Sequence, residues 1–137
     1  MRCLLLGVGA MASPRYRPAG LLVVSGRTRL MFDGGPTSAP PTPVQDWLVT
    51  DEHAELAREI RSLGSGMGLA PAVRSIHTDT LQVEPLPVRH TSHPTFGYRI
   101  IEGRGAVVVW APEFLAFPEW ARHIFPSDSM QAGLNTP

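Results

Sequence analysis

The chain has 137 residues, of which 43% are hydrophobic, so it can bury one ordinary core but is too short for two domains of usual size. Its 12 basic residues balance its 12 acidic residues, which excludes the overall positive field typical of nucleic-acid-binding proteins. All 12 basic residues are arginines, which excludes a Schiff-base lysine and a phosphate-loop lysine.

The cysteine content and the N-terminal sequence bear on location. The single cysteine, Cys3, has no partner for an internal disulfide, which favours a reducing compartment. The apolar run at residues 3–12 is too short to span a membrane and follows no cluster of basic residues. We therefore expect a cytoplasmic protein with no membrane partner.

The high content of turn-forming residues, 13 glycines and 14 prolines, predicts many short elements separated by turns. Apolar segments between these turns predict strands, in chain order, at residues 2–8, 21–24, 28–32, 47–49, 73–76, 81–88, 96–101 and 106–110. The second and third strands are separated by Ser25 and Gly26, which is typical of a hairpin. Residues 37–43 contain three prolines and are predicted to form a surface loop.

The clearest helical pattern follows the strand at residues 47–49. Thr50 or Asp51 is expected to cap a helix that runs to about Leu63, because acidic residues come early and arginines late. A second short helix is predicted at residues 118–124. Strands in series with one main helix between them favour a mixed α/β fold whose sheet is covered on one face.

Histidines and carboxylates follow three of the predicted strands. They are Asp51, His53 and Glu55 after the strand at 47–49, His90 and His93 after the strand at 81–88, and Glu113 after the strand at 106–110. Such side chains at strand ends can converge, and imidazoles beside carboxylates are the usual ligands of borderline metals. Ordinary roles stay open, because Asp51 and Glu52 also suit a helix cap and Glu113 also suits a turn. His77 and His123 are interpreted as structural or solvated.

Four segments carry patterns that occur together in one protein superfamily. In chain order they are Leu4-Leu5-Leu6-Gly7-Val8-Gly9-Ala10, Leu30-Met31-Phe32-Asp33-Gly34-Gly35, Pro87-Val88-Arg89-His90 with Thr95-Phe96-Gly97-Tyr98-Arg99-Ile100, and Val107-Val108-Val109-Trp110-Ala111-Pro112-Glu113. They resemble the metallo-β-lactamase superfamily, nearest to its branch of tRNA 3′-processing endonucleases and phosphodiesterases. The resemblance implies an α/β fold, the metallo-β-lactamase-like αββα sandwich, of which this chain is expected to hold mostly the N-terminal half. That half, a mixed sheet with one main helix, is expected at residues 1–125, followed by a flexible tail at 126–137.

The resemblance also bears on the metal-binding motif of the superfamily, His-x-His-x-Asp-His after a strand and a threonine. Here Leu48-Val49-Thr50 is followed by Asp51-Glu52-His53-Ala54-Glu55-Leu56. By position, His53 keeps the second histidine of the motif. Asp51 replaces the first histidine, Glu55 replaces the aspartate, and Leu56 replaces the last histidine. The resemblance therefore implies that the second metal of the superfamily site is lost.

The other matching segments imply the remaining site residues. His90 matches the third metal-binding histidine, Glu113 replaces the metal-bridging aspartate, and Asp33 matches the aspartate that supports the ligands. One metal, zinc or else manganese or iron, is thus expected to be held by His53, His90 and Glu113, with Asp51 or His93 assisting. The implied activity is hydrolysis of a phosphodiester or of an ester or lactone, with Asp51 or Glu55 as general base.

Two other functions stay open. The chain can be a non-catalytic binding or scaffold protein that has lost the metal, or an incomplete domain that needs a partner. In the latter case an apolar sheet face is uncovered, and we expect it at residues 107–111 with Phe114, Leu115, Phe117 and Trp120. A homodimer is then expected. A nucleic-acid partner is not, because the arginines at 15, 17, 27 and 29 are interpreted as solvated.

Overall fold

A computed structural model of the chain describes residues 1–10, 13–89 and 93–113. Its elements, in chain order, are β1 (Arg2–Gly7), β2 (Gly20–Ser25), β3 (Thr28–Asp33), β4 (Asp46–Leu48), α1 (Ala57–Gly66), β5 (Ile76–His77), β6 (Leu81–Val88), β7 (Thr95–Glu102) and β8 (Ala106–Trp110). The predicted strands are therefore present, except that the one predicted at 73–76 shares only Ile76 with β5. The predicted helix at 118–124 and the predicted tail lie outside the described residues.

The described strands form two four-stranded sheets, ordered β1-β2-β3-β4 (sheet 1) and β5-β6-β7-β8 (sheet 2). All neighbours pair antiparallel except β3 and β4, which are parallel and make sheet 1 a mixed sheet. The β2–β3 hairpin forms as predicted, with Ser25 opposite Thr28 and Gly26 at a φ of 57°. Glycine adopts this left-handed conformation without the steric cost that a Cβ brings.

The pleat of sheet 1 sends alternate side chains into two separate cores. Leu21, Val23, Leu30 and Phe32 face sheet 2 and pack with Tyr98 and other residues there. On the opposite face of sheet 1, Leu22, Met31 and Trp47 pack against Ile60 of α1. The layers are therefore helix, sheet 1 and sheet 2, and sheet 1 is covered on both faces rather than on one as predicted.

The helix begins later than predicted. Residues 52–56 form turns, and α1 starts at Ala57 after Leu56, with no side-chain cap. The reason is local, because the Asp51 Oδ1 accepts a hydrogen bond from the backbone N–H of His53 at 2.8 Å. An aspartate that binds the amide two residues ahead offers the backbone an alternative to the helix.

Apolar side chains are exposed at the outer strands of both sheets. Val107 in β8 is 49% exposed, within the face predicted to be uncovered, whereas the apolar residues predicted beyond 113 lie outside the described residues. Sequence reasoning missed a second exposed set in and after β1, where Leu4, Leu5 and Val8 are 43%, 61% and 67% exposed. No helix in the described part of the chain is long and apolar enough to cross a membrane.

Candidate functional site

Asp33, at the end of β3, is the buried centre from which the site is built. Its side chain is almost fully buried and its φ is 54°, a conformation that aspartate tolerates better than most residues. Its carboxylate accepts hydrogen bonds from the Thr50 backbone N–H at 2.8 Å and from the Thr50 hydroxyl at 3.0 Å. The Trp110 indole N–H, from β8 in the other sheet, donates to the same carboxylate at 2.8 Å. Asp33 therefore ties the end of β3 to both sheets.

The charge of Asp33 is poorly tolerated at this position. Burial raises its pKa from 3.8 to about 6, although the hydrogen bonds from Thr50 and Trp110 work in the opposite direction. The negative charge of Glu113 also raises this pKa. Asp33 is therefore ionised at neutral pH, and its buried charge lowers the stability of the fold. Carboxylates with strongly shifted pKa values cluster at functional sites.

The segment after β4 is bonded to sheet 2, and this fixes where the next residues lie. The Tyr98 hydroxyl donates to the Val49 carbonyl at 2.8 Å, and the Phe96 backbone N–H donates to the Thr50 carbonyl at 2.8 Å. Burial raises the pKa of Tyr98, so its hydroxyl stays protonated and able to donate. The segment therefore presents Asp51 to the turn that precedes β7.

Asp51, His53 and His93 meet at this corner between the two sheets. Asp51 is buried, and its Oδ2 lies 2.5 Å from Nε2 of His93, which is half-buried. The rings of His53 and His93 stand edge to face with their centroids 5.9 Å apart. The structure thus brings His93 to Asp51, which lies 42 residues earlier in the chain, and to the neighbouring imidazole of His53.

The other predicted site residues are placed differently. Glu55 is exposed on the turn before α1, and Glu113 lines a cavity together with Asp33 and Thr50. His90 lies outside the described residues. Within the described ranges, no three histidine, cysteine, aspartate or glutamate side chains stand close enough to hold a metal ion as placed.

Sequence reasoning missed two residues that shape the site, Thr50 and Trp110. Thr50 was interpreted as a helix cap, yet its side chain and amide both bind Asp33. Trp110 was interpreted as part of an apolar strand, yet its indole N–H reaches the same carboxylate. A signal for Trp110 was available, since a tryptophan at the end of an apolar strand needs an acceptor for its N–H when it is buried.

The comparisons with known proteins rest on structure alone, because no protein-family model and no curated protein matches the sequence. The metallo-β-lactamase fold protein YhfI from Bacillus subtilis superposes with a TM-score of 0.61 at 14% identity, covering 78% of this chain and 60% of YhfI. A diphosphatase from the PhnP family superposes with a TM-score of 0.51 at 14% identity, covering 72% of this chain and 61% of that one. The resemblance inferred from the four sequence segments is thereby confirmed for the fold. The chain spans about three-fifths of the length of each of these proteins.

Proposed function

We propose that this chain, which has the metallo-β-lactamase fold, is a hydrolase with an altered, single-metal site at the corner formed by Asp51, His53 and His93. The observation that carries the proposal is the contact of Asp51 with His93 beside the ring of His53. A phosphodiester is the first substrate class to test, because one structural neighbour is named a diphosphatase. An ester or a lactone is the second.

The donors at this corner fit a divalent metal in kind, since zinc takes imidazole nitrogens and carboxylate oxygens. Their spacing fits only if the Asp51–His93 pair opens. Two ligand atoms of one tetrahedral zinc lie roughly 3.3 Å apart when each bond is about 2.0–2.2 Å, whereas Asp51 Oδ2 and His93 Nε2 are 2.5 Å apart. Asp51 Oδ2 and His93 Nε2 would therefore have to move apart by about 0.8 Å, which side-chain movement can supply. His90 and Glu113 are the further ligands proposed from the sequence.

An ion held there supplies Lewis-acid activation of water. The chain's own residues would divide the remaining work. Asp51 already accepts the His53 backbone N–H and contacts His93, so we propose that it positions ligands rather than taking up a proton. Glu55 is exposed on the same turn, which leaves it as the proposed general base.

The alternative is a non-catalytic binding or scaffold protein that keeps the fold without the metal. One observation favours it, namely that the described histidine and carboxylate side chains do not form a group of three around one point. The two functions differ in a measurable way, because only the first requires near-stoichiometric metal.

The test is elemental analysis of protein purified without chelator, together with turnover of bis(p-nitrophenyl) phosphate and of an aryl lactone. We expect about one zinc, manganese or iron ion per chain, lost together with turnover in His53→Ala, His90→Ala and His93→Ala. His77→Ala is the matched control, because His77 is exposed on β5, and it is expected to retain both metal and turnover. If the wild-type protein takes up no metal even from excess zinc, the hydrolase proposal is wrong and the non-catalytic binding or scaffold function remains.

We also propose that residues 1–125 form one domain and that this domain is a cytoplasmic homodimer without a nucleic-acid partner. The support for the dimer is the position of β1 at the edge of sheet 1 with Leu4 and Leu5 exposed. Light scattering on the wild type and on Leu5→Lys tests this. A dimer that becomes a monomer in the variant supports the proposal, and a monomeric wild type contradicts it.

A further inference from the structure

A cavity of about 400 Å³ opens between His53 and the first two turns of α1. It is lined by Val49, Glu52, His53, Ala57, Arg61 and Pro71. The volume falls in the range of about 300–1,000 Å³ that is usual for small-molecule sites. Because His53 belongs to the proposed metal corner, a ligand in this cavity lies directly beside that corner.

The apolar walls of this cavity are held in place by close contacts. The Val49 backbone N–H donates to the Ala72 carbonyl at 3.1 Å, which ties the segment after β4 to the residue that follows Pro71. Gly64 of α1 packs so closely on Pro71 that a Cβ at position 64 would come within 2.4 Å of the Pro71 Cγ. A cavity with fixed walls needs less ordering when a ligand binds.

Arg61 supplies positive charge at this cavity. Its side chain is exposed, and it lies one turn after Ala57 on the same face of α1. In the part of the chain that the structure describes, its guanidinium donates one hydrogen bond, from Nη1 to the Glu52 carbonyl at 3.3 Å, and forms no ion pair. A guanidinium has five N–H donors, so most of them remain available to a ligand.

Glu52 carries the opposite charge at the cavity, but its carboxylate has another partner. Its Oε1 accepts a hydrogen bond from the Val73 backbone N–H at 2.8 Å. Among the ion pairs of the described residues, none joins Glu52 to Arg61. The two charges are therefore not spent on each other, although Glu52 opposes the binding of an anion. An anion gains from this cavity only if it contacts Arg61 directly.

We propose that Arg61 binds the charged oxygens of a phosphate ester in this cavity, and that the substrate of the chain is therefore a phosphodiester rather than a lactone. The planar guanidinium presents parallel N–H groups that match two oxygens of one phosphate. A neutral ester or lactone offers no charge to these groups. The choice between substrates rests on the proposed hydrolase function, whereas the binding of a phosphate by Arg61 does not require a metal.

The binding experiment follows the ring C–H resonances of His53 by NMR in the presence of EDTA, so that no metal takes part. His53→Ala identifies these resonances among the five histidines. The probes are methyl phenyl phosphate, a phosphodiester with one negative charge, and dimethyl phenyl phosphate, in which one further methyl group removes that charge. We expect saturable shifts with the phosphodiester and at least about tenfold weaker binding of the neutral triester.

Variants of the full chain assign the binding to Arg61. Arg61→Gln is expected to weaken the phosphodiester about tenfold. The matched control is Arg58→Gln, which removes the same charge from an exposed position of α1 that lines a different cavity, and it is expected to leave binding unchanged. Glu52→Gln keeps an acceptor for the Val73 N–H and removes the opposing charge, so it is expected to strengthen binding about twofold. Equal binding of the two probes, an unchanged affinity in Arg61→Gln, or no shift at all would overturn the proposal.

Turnover and metal content distinguish the role of Arg61 from the hydrolase function. In protein that hydrolyses both substrates, Arg61→Gln is expected to raise KM for bis(p-nitrophenyl) phosphate about tenfold and to leave KM for the aryl lactone and the metal content unchanged. Phosphodiester binding without any metal would refute the hydrolase function and keep the phosphate site. Metal and turnover without an effect of Arg61→Gln would refute the role of Arg61 alone.

Discussion

The buried charge of Asp33 predicts a specific dependence of stability on pH. Because its pKa is about 6 in the folded chain and 3.8 is its ordinary value, the native state binds a proton more readily than the unfolded chain between these values. The free energy of unfolding therefore falls as pH rises through this window, and the loss is complete above about pH 7. Each unit of pKa shift corresponds to about 1.4 kcal/mol.

From this shift we expect Asp33 to lower the free energy of unfolding by about 2 kcal/mol between about pH 4.5 and pH 7.5. The perturbation is Asp33→Asn, which removes the charge at nearly constant volume. One hydrogen bond is mismatched in the variant, since an amide nitrogen must face a donor from Thr50 or Trp110. That cost, about 1–3 kcal/mol, is the same at both pH values and cancels in the comparison.

The assay is urea denaturation of the wild type and of Asp33→Asn at both pH values. Between the two pH values, the free energy of unfolding is expected to fall by about 2 kcal/mol more in the wild type than in the variant. Asp79→Asn, at an exposed carboxylate, is the matched control and is expected to behave as the wild type. If Asp33→Asn keeps the wild-type pH dependence, the buried charge of Asp33 is not its source.

Three further changes test the packing around the site. Tyr98→Phe removes the donor to the carbonyl that follows β4 and is expected to cost about 1–3 kcal/mol of unfolding free energy, whereas Tyr16→Phe, at an exposed ring, is expected to cost almost nothing. Ile60→Ala opens a cavity between α1 and sheet 1 and is expected to cost about 2–5 kcal/mol in the same denaturation assay. Glu84→Gln removes a half-exposed ion pair with Arg99 and is expected to cost less than about 1 kcal/mol. The hydrogen bond from Gln82 and then the one from Arg99 lower the pKa of Glu84, so the contribution of the carboxylate should disappear as pH falls below the ordinary value of 4.5. A larger effect of Glu84→Gln at low pH would contradict this expectation.

The strands were predictable because their signals are local. The β2–β3 hairpin follows from Gly26 between two apolar runs. The unbroken apolar run from Leu21 to Val24 is typical of a strand buried on both faces, although cover on only one face was predicted. The corner of Asp51, His53 and His93 was partly predictable, since these side chains were expected at strand ends. What the sequence left open was which histidine contacts Asp51, and the structure makes this His93.

The features that were predicted wrongly or missed depend on contacts between distant parts of the chain, or on side chains that compete locally with the helix. The start of α1 was predicted too early because Asp51 uses its carboxylate on the His53 amide instead of capping a helix. The link from Asp33 to Trp110 joins positions 77 residues apart, and no periodic pattern encodes such a pairing. The division into two sheets was implied only by the resemblance to an αββα sandwich, because the pairing of strands depends on which strands meet and not on the propensity of each.

The order of the strands also bears on how the chain folds. Each sheet is built from one continuous stretch, residues 2–48 for sheet 1 and residues 76–110 for sheet 2, so the pairings inside a sheet close short loops. Loop-closure entropy makes such local pairings the first to form, and docking of the two sheets the later event. Weakening the β2–β3 hairpin should therefore slow folding, whereas removing the Trp110 indole should mainly speed unfolding. The hydrogen bond from Trp110 to Asp33 joins the two sheets at the site, and it is therefore expected to form last on folding.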